Sequence, residues 1–145
     1  MSGRIVVGVD GSKSSVDALL WAANQARLTG ASLEVVTTWE SPPNLGWPAP
    51  SPDKFHPESD ARQMLSGIIT RELGGTVEID VSQLVIEGRP APALLEQAQG
   101  ADLLVVGSRG RGTLVGTLLG SVSEHCVTHG SCPVLVVHHR TDSDS

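Results

Sequence analysis

Short apolar runs alternate with helix-period segments from Ile5 to Val137, and this alternation constrains the fold more than any other feature of the chain. Ile5-Val6-Val7-Gly8-Val9 is apolar almost throughout. A run with no polar face suits a strand covered on both sides, as in a parallel sheet. Asp10-Gly11-Ser12 ends it with turn residues. Val16, Leu19, Leu20, Ala23 and Ala26 then follow the spacing of one buried helix face. Ser14 with Asp17 reads as a variant capping box, and Gly30 as the helix stop.

Leu33 to Thr38 predicts a second strand. Residues 40–56 carry Pro42, Pro43, Pro48, Pro50 and Pro52 around Trp47, too much proline for a helix or an internal strand. A surface loop is expected there, either a lid or a plain connector. Pro57 opens a helix with Ala61, Leu65, Ile68 and Glu72 on one face, flanked by Met64 and Ile69, and Gly74-Gly75 closes it. Val77, Ile79 and Val81 alternate with polar residues before Leu84-Val85-Ile86, which suits an edge strand with one wetter end. Pro90 opens a helix with Ala91, Leu94, Leu95 and Ala98 inward, stopped by Gly100. Leu103 to Val106 is a fourth strand, about 121–129 a last helix, and Pro133 to Val137 a last strand. Strands alternating with helices predict one doubly wound α/β domain over 1–145, an open parallel sheet with helices on both faces. The polar tail from His138, above all about 140–145, is expected to fray.

At 145 residues one core suffices without disulfides or a structural metal. The net charge of −6, with ten Lys and Arg in all, argues against nucleic acid as a partner. So do the sparse aromatics, at 3%. Two cysteines, Cys126 and Cys132, do not make a disulfide framework. The first strand begins by Ile5, leaving no room for a signal peptide, and no apolar run is long enough to span a bilayer. A cytoplasmic protein without membrane contact is expected.

Chemistry concentrates in Gly107-Ser108-Arg109-Gly110-Arg111-Gly112-Thr113, followed by Gly116 and then Gly120-Ser121-Val122-Ser123. The segment leaves a buried strand and enters a helix. Glycines let backbone approach a ligand closely. Unbonded N–H groups and the dipole at the helix start favour an anion by about 0.3–1 kcal/mol, more when partly buried. Ser121 and Ser123 add hydroxyls, and Arg109 and Arg111 add positive charge to an acidic chain. On these grounds the segment is a phosphate-binding loop, with a plain flexible loop as the alternative. It lacks the Lys of a Walker A loop. Gly110, Gly112 and Gly116 miss the dinucleotide fingerprint by one position and follow the wrong strand.

Gly107, Gly110, Gly120 and Ser121 do satisfy G-x2-G-x9-G-S, and here the chain resembles the ATP-binding branch of the universal stress proteins. Ile5 to Ser12, Ala101 to Gly107 and Cys132 to Val137 carry the same resemblance, which runs over about 3–139. It implies a Rossmann-like, adenine nucleotide alpha hydrolase-like sheet of five parallel strands in the order 3-2-1-4-5. Ligands of such sheets bind at the carboxyl ends of the strands, where the winding reverses. By the resemblance, Asp10 would accept from ribose hydroxyls and Gly8 would permit close approach. Thr38 would meet adenine through its backbone, and Gly107 and Gly110 would line ribose and phosphates. Ser121, Val122 and Ser123 would hold the phosphates of ATP with its Mg2+. Sensing or regulation in a stress response is the implied role.

His125, Cys126, His129 and Cys132 do not naturally converge as zinc ligands, and buried thiols are the expected reading. No nucleophile elbow or paired carboxylate accompanies the glycine loop, and His125 alone does not make a catalyst, so slow or absent hydrolysis is expected. Val134 to Val137 is apolar on both faces, yet would be an edge strand. Pairing across a two-fold axis would cover it, giving the homodimer usual in the family. A slow ATP hydrolase or nucleotide transferase and a non-nucleotide interaction module remain the alternatives. A phospho-receiver domain would need acidic residues and a Lys that this chain lacks at the required strand ends.

Overall fold

The computed structural model describes residues 3–40, 56–74, 78–109 and 119–139. Their elements are β1 (Arg4–Gly8), α1 (Lys13–Thr29), β2 (Ser32–Trp39), α2 (Pro57–Leu73), β3 (Val81–Glu87), α3 (Pro90–Gln97), β4 (Leu103–Gly107), α4 (Ser121–His129) and β5 (Val134–Val137). The strands form one parallel sheet in the order β3-β2-β1-β4-β5. This is the doubly wound architecture expected from the sequence.

Neighbouring residues of the central strands point to opposite faces, and each face has its own core. Ile5, Val7, Leu33, Val35 and Val105 pack under α1 and α2 with Leu19, Leu65 and Ile68. Val6, Val36, Leu104 and Val106 pack with Ala91 and Leu94 of α3 and Cys126 of α4. The division follows from right-handed crossovers: winding outward from β1 to β3 sets two helices on one face, and winding back through β4 to β5 sets two on the other.

Helix α1 departs from the sequence reading in two ways. Its cap is Ser12, whose side chain accepts from the Ser15 N–H, rather than Ser14. Its buried face is Ala18, Leu19, Ala22, Ala23 and Ala26, while Leu20 is 40% exposed. Successive helical residues are turned about 100° from one another, so Leu19 and Leu20 cannot both face the sheet. Alanines above and below Leu19 let the helix lie close. Strand β3 begins at Val81, with Ile79 in a bend before it. The proline-rich stretch 41–55, Gly75, Val77 and the tail 140–145 lie outside the described residues. Before that tail, His139 is held rather than frayed, its Nδ1 lying 2.6 Å from the Asp17 carboxylate of α1.

Candidate functional site

The winding reverses between β1 and β4, and a crevice opens at the carboxyl ends of these strands. Its inner cavity, about 80 Å3, includes Gly8, Asp10, Gly107, Arg109, Val122 and Ser123 in its lining. An outer cavity of about 440 Å3 reaches Trp39, Glu40, Asp60 and Met64. Both include Asp10, Thr37, Thr38, Pro90 and Val122 in their walls, so they form one continuous space.

Asp10 stands where β1 gives way to α1. Its carboxylate accepts from the Ser12 N–H at 2.9 Å, and its own N–H donates to the Ser15 hydroxyl at 3.3 Å. The turn therefore fixes the carboxylate at the boundary of the two cavities. Gly8 lies just before it. A side chain there would meet Leu94 of α3 at 2.9 Å, and both residues line the inner cavity, so the bare Gly8 backbone borders the crevice with Leu94 beside it.

Gly107 serves a neighbouring helix in a similar way. A Cβ at Gly107 would lie 2.5 Å from the Ser14 hydroxyl and 2.7 Å from backbone atoms of Ser14 and Ser15. Its absence lets the first turn of α1 press against the end of β4. Ser14, buried there, donates its hydroxyl to the Arg109 carbonyl at 2.6 Å, and Ser12 stands 3.3 Å from the same oxygen. The backbone leaving β4 is thus gripped at Arg109, whose exposed side chain also lines the inner cavity.

The segment returns at Gly120, whose N–H donates to the Ser108 carbonyl at 2.6 Å. The Ser123 hydroxyl, 2% exposed as a residue, lies 3.1 Å from the Ser108 carbonyl and 3.0 Å from that of Gly120. It braces the two ends of the loop against each other. The first bond of α4 runs from the Glu124 N–H to the Gly120 carbonyl at 3.0 Å. The N–H groups of Ser121, Val122 and Ser123 come before that bond and have no partner within the helix. They give the helix mouth its positive potential.

Gly8, Asp10, Thr38, Gly107, Arg109, Val122 and Ser123 therefore share one crevice, with Ser121 at its outer wall. Ser108 and Gly120 support it from behind. Gly110, Arg111, Gly112 and Thr113 lie outside the described residues. Sequence reasoning missed Ser14, Pro90, Trp39 and Asp60. The serine cluster 12–15 was a visible signal, since polar side chains on the sheet-facing side of a helix need partners. Pro90, Trp39 and Asp60 come together only through the packing of α2 and α3.

The cysteines belong to the core under α3 and α4. Burial, with Cys132 nearby, pushes the Cys126 thiol up to about 11. Burial raises the half-buried Cys132 as well. His125 and His129 stand on the exposed side of α4 with ring centroids 4.5 Å apart. Among the described residues no three His, Cys, Asp or Glu side chains are grouped to hold a metal, and no helix is long and apolar enough to cross a membrane.

Known proteins share the sequence and the architecture of this chain along most of its length. Universal stress protein Rv1996 of Mycobacterium tuberculosis is 37% identical over 147 residues, covering 95% of this chain and 44% of that protein. Universal stress protein Rv2005c of the same organism is 33% identical over 139 residues, covering 92% of this chain and 47% of that one. The chain thus spans about half the length of these relatives. A universal stress protein crystallised in complex with cAMP is 31% identical, superposes with a TM-score of 0.69, and is matched over 95% of this chain and 98% of its own. The pattern of the Universal stress protein family matches residues 1–138, and the chain belongs to that family.

Proposed function

We propose that this chain binds an adenine nucleotide, ATP with Mg2+, and acts as a nucleotide-dependent sensor or regulator in a stress response. The observation that carries the reading is the meeting of a carboxylate with positive groups in one crevice. Asp10 stands at the end of β1, and Arg109 with the unbonded amides of Ser121, Val122 and Ser123 stands beyond β4. A carboxylate suits ribose hydroxyls, and helix amides with an arginine suit phosphates. The base would rest against Thr38 at the end of β2. The relative crystallised with cAMP supports a nucleotide as the ligand class. Gly107, Ser108 and Gly120 would hold the loop in shape, and Gly110, Arg111, Gly112 and Thr113 would complete it around the phosphates. Mg2+ would travel with the triphosphate, which supplies the oxygen ligands that this ion prefers.

Titration calorimetry with MgATP tests the reading. Binding should appear with micromolar or tighter affinity, and a hundredfold excess over the dissociation constant should raise stability by about 2.7 kcal/mol. Folded protein that gives no heat and no thermal shift with adenine nucleotides ends the proposal.

The chain should also pair with a second copy of itself through β5. That strand is a sheet edge whose four residues are all half-buried. A paired edge hides both its apolar side chains and its unbonded backbone.

A further inference from the structure

Both cysteines lie on the face of the sheet that α3 and α4 cover, away from the crevice. Residues of β5 alternate between faces, with Leu135 and Val137 under α1 and Val134 and Val136 under α3 and α4. Cys132, two positions before Val134, continues the second series and packs against the same cluster. Cys126 enters that cluster from the last turn of α4 and is fully buried. The chain between them folds back tightly. The Gly130 N–H donates to the Cys126 carbonyl at 2.8 Å. A Cβ on Gly130 would lie 2.8 Å from that oxygen and 3.4 Å from the Cys132 carbonyl, so the backbones of both cysteines close on one glycine. Charge on Cys132 also helps to raise the Cys126 thiol, so the two sulfurs are within electrostatic reach of each other. Solvent reaches only Cys132, which is half-buried. Burial raises its thiol, and the nearby Arg4 guanidinium draws it part of the way back.

We propose that Cys126 and Cys132 are a redox pair, which closes a reversible disulfide within the chain when a peroxide oxidises Cys132. The Cys132 thiolate attacks one oxygen of hydrogen peroxide, the O–O bond breaks, and hydroxide leaves a sulfenic acid behind. The Cys126 sulfur then attacks the Cys132 sulfur. The S–O bond breaks, and the departing hydroxide takes up the Cys126 proton as water. The two sulfurs give up two electrons and the peroxide gains them. A small thiol reverses the bond by exchange. The order follows from access, since oxidant meets Cys132 first and the buried Cys126 resolves it. Burial keeps both thiolates scarce at neutral pH, so the pair stays reduced unless oxidant persists, and its closure quickens as pH rises. The new bond fastens the end of α4 to the start of β5.

The test treats the folded native chain with hydrogen peroxide at about pH 8, near the thiol range. The chain is then unfolded in excess alkylating reagent, and its intact mass and peptides are measured. The expected product is a single chain lighter by two hydrogens that takes up no alkyl group and yields a cross-linked peptide pair containing Cys126 and Cys132. A dithiol reductant should restore both alkylation sites. In Cys126→Ala the reaction should stop at a Cys132 sulfenic acid, which a cyclic 1,3-diketone traps. In Cys132→Ser the thiol of Cys126 should stay reduced. The cross-link is read on the native chain, so the test decides even where a variant fails to fold. Two free thiols after prolonged exposure, oxidation to sulfinic acid without the cross-link, bonds between chains alone, or closure only in urea would each overturn the pair.

Discussion

The Ser14 hydroxyl lies 2.6 Å from the Arg109 carbonyl and 3.3 Å from the Arg109 amide nitrogen, so one side chain of α1 meets both polar groups of a residue 95 positions away. The hydroxyl can donate to the first and accept from the second. The direction in which the chain leaves β4 is therefore set from another element. Replacing Ser14 by Ala should release Arg109 and weaken MgATP binding about tenfold, equivalent to ~1.4 kcal/mol. Calorimetry on the variant checks this, and native affinity in Ser14→Ala would show that the grip does not matter to the site.

Gly107 and Gly8 predict different costs for the same added methyl. At Gly107 the new Cβ meets the backbone of α1 as well as the Ser14 hydroxyl. At Gly8 it meets only the end of the Leu94 side chain. Backbone in a packed interface yields less readily than a leucine rotamer. Gly107→Ala should lower unfolding stability by about 2–3 kcal/mol, and Gly8→Ala by about 1 kcal/mol or less. Urea unfolding of the pair settles the order; equal losses would contradict it.

Burial of Cys126 makes a pH prediction. Its thiol is raised from 9.0 to about 11 in the fold, so the folded state disfavours the thiolate. Stability from the neutral thiol is complete below pH ~9, where both states hold the proton, and is lost as pH climbs toward 11. The full loss is about 3 kcal/mol. Urea midpoints between pH 8 and 11 should fall less steeply in Cys126→Val than in the native chain. At neutral pH a thiol reagent should modify half-buried Cys132 well before Cys126.

Strand β5 offers a test of assembly that spares its ladder to β4. The Leu104 and Ser108 N–H groups donate to the Pro133 and Val137 carbonyls. Alternate residues of a strand share one hydrogen-bonding side, so the N–H and carbonyl of Val136 point away from β4. Val136→Pro removes an outward donor and leaves the inward ladder intact, as edge positions tolerate. Light scattering at micromolar concentration should give a dimer for the native chain and a monomer for the variant. A native monomer would refute pairing through this edge.

Much of the architecture was legible because its signals are local. Apolar runs such as Ile5 to Val9 and Leu103 to Val106 mark buried strands, and Pro57, Pro90 and Gly30 mark helix boundaries at the positions observed. The errors were also local in origin. Leu20 fits an i+4 spacing from Val16 as well as Leu19 fits i+3, and periodicity alone does not choose between them. Ser12, Ser14 and Ser15 are equally good caps by type, and only the backbone geometry after Asp10 selects Ser12.

The sequence by itself determined the strand and helix succession, the parallel sheet and the glycine- and serine-rich segment between β4 and α4, since each depends on residues close together in the chain. Tertiary structure decided what those residues touch. It set Leu94 beside Gly8, turned the Ser123 hydroxyl onto Ser108 and Gly120, and brought Ser14 to Arg109. It also set Asp60 of α2 across the crevice from Pro90 of α3. Such meetings depend on crossover handedness and on how closely helices settle onto the sheet, and no spacing along the chain encodes those distances.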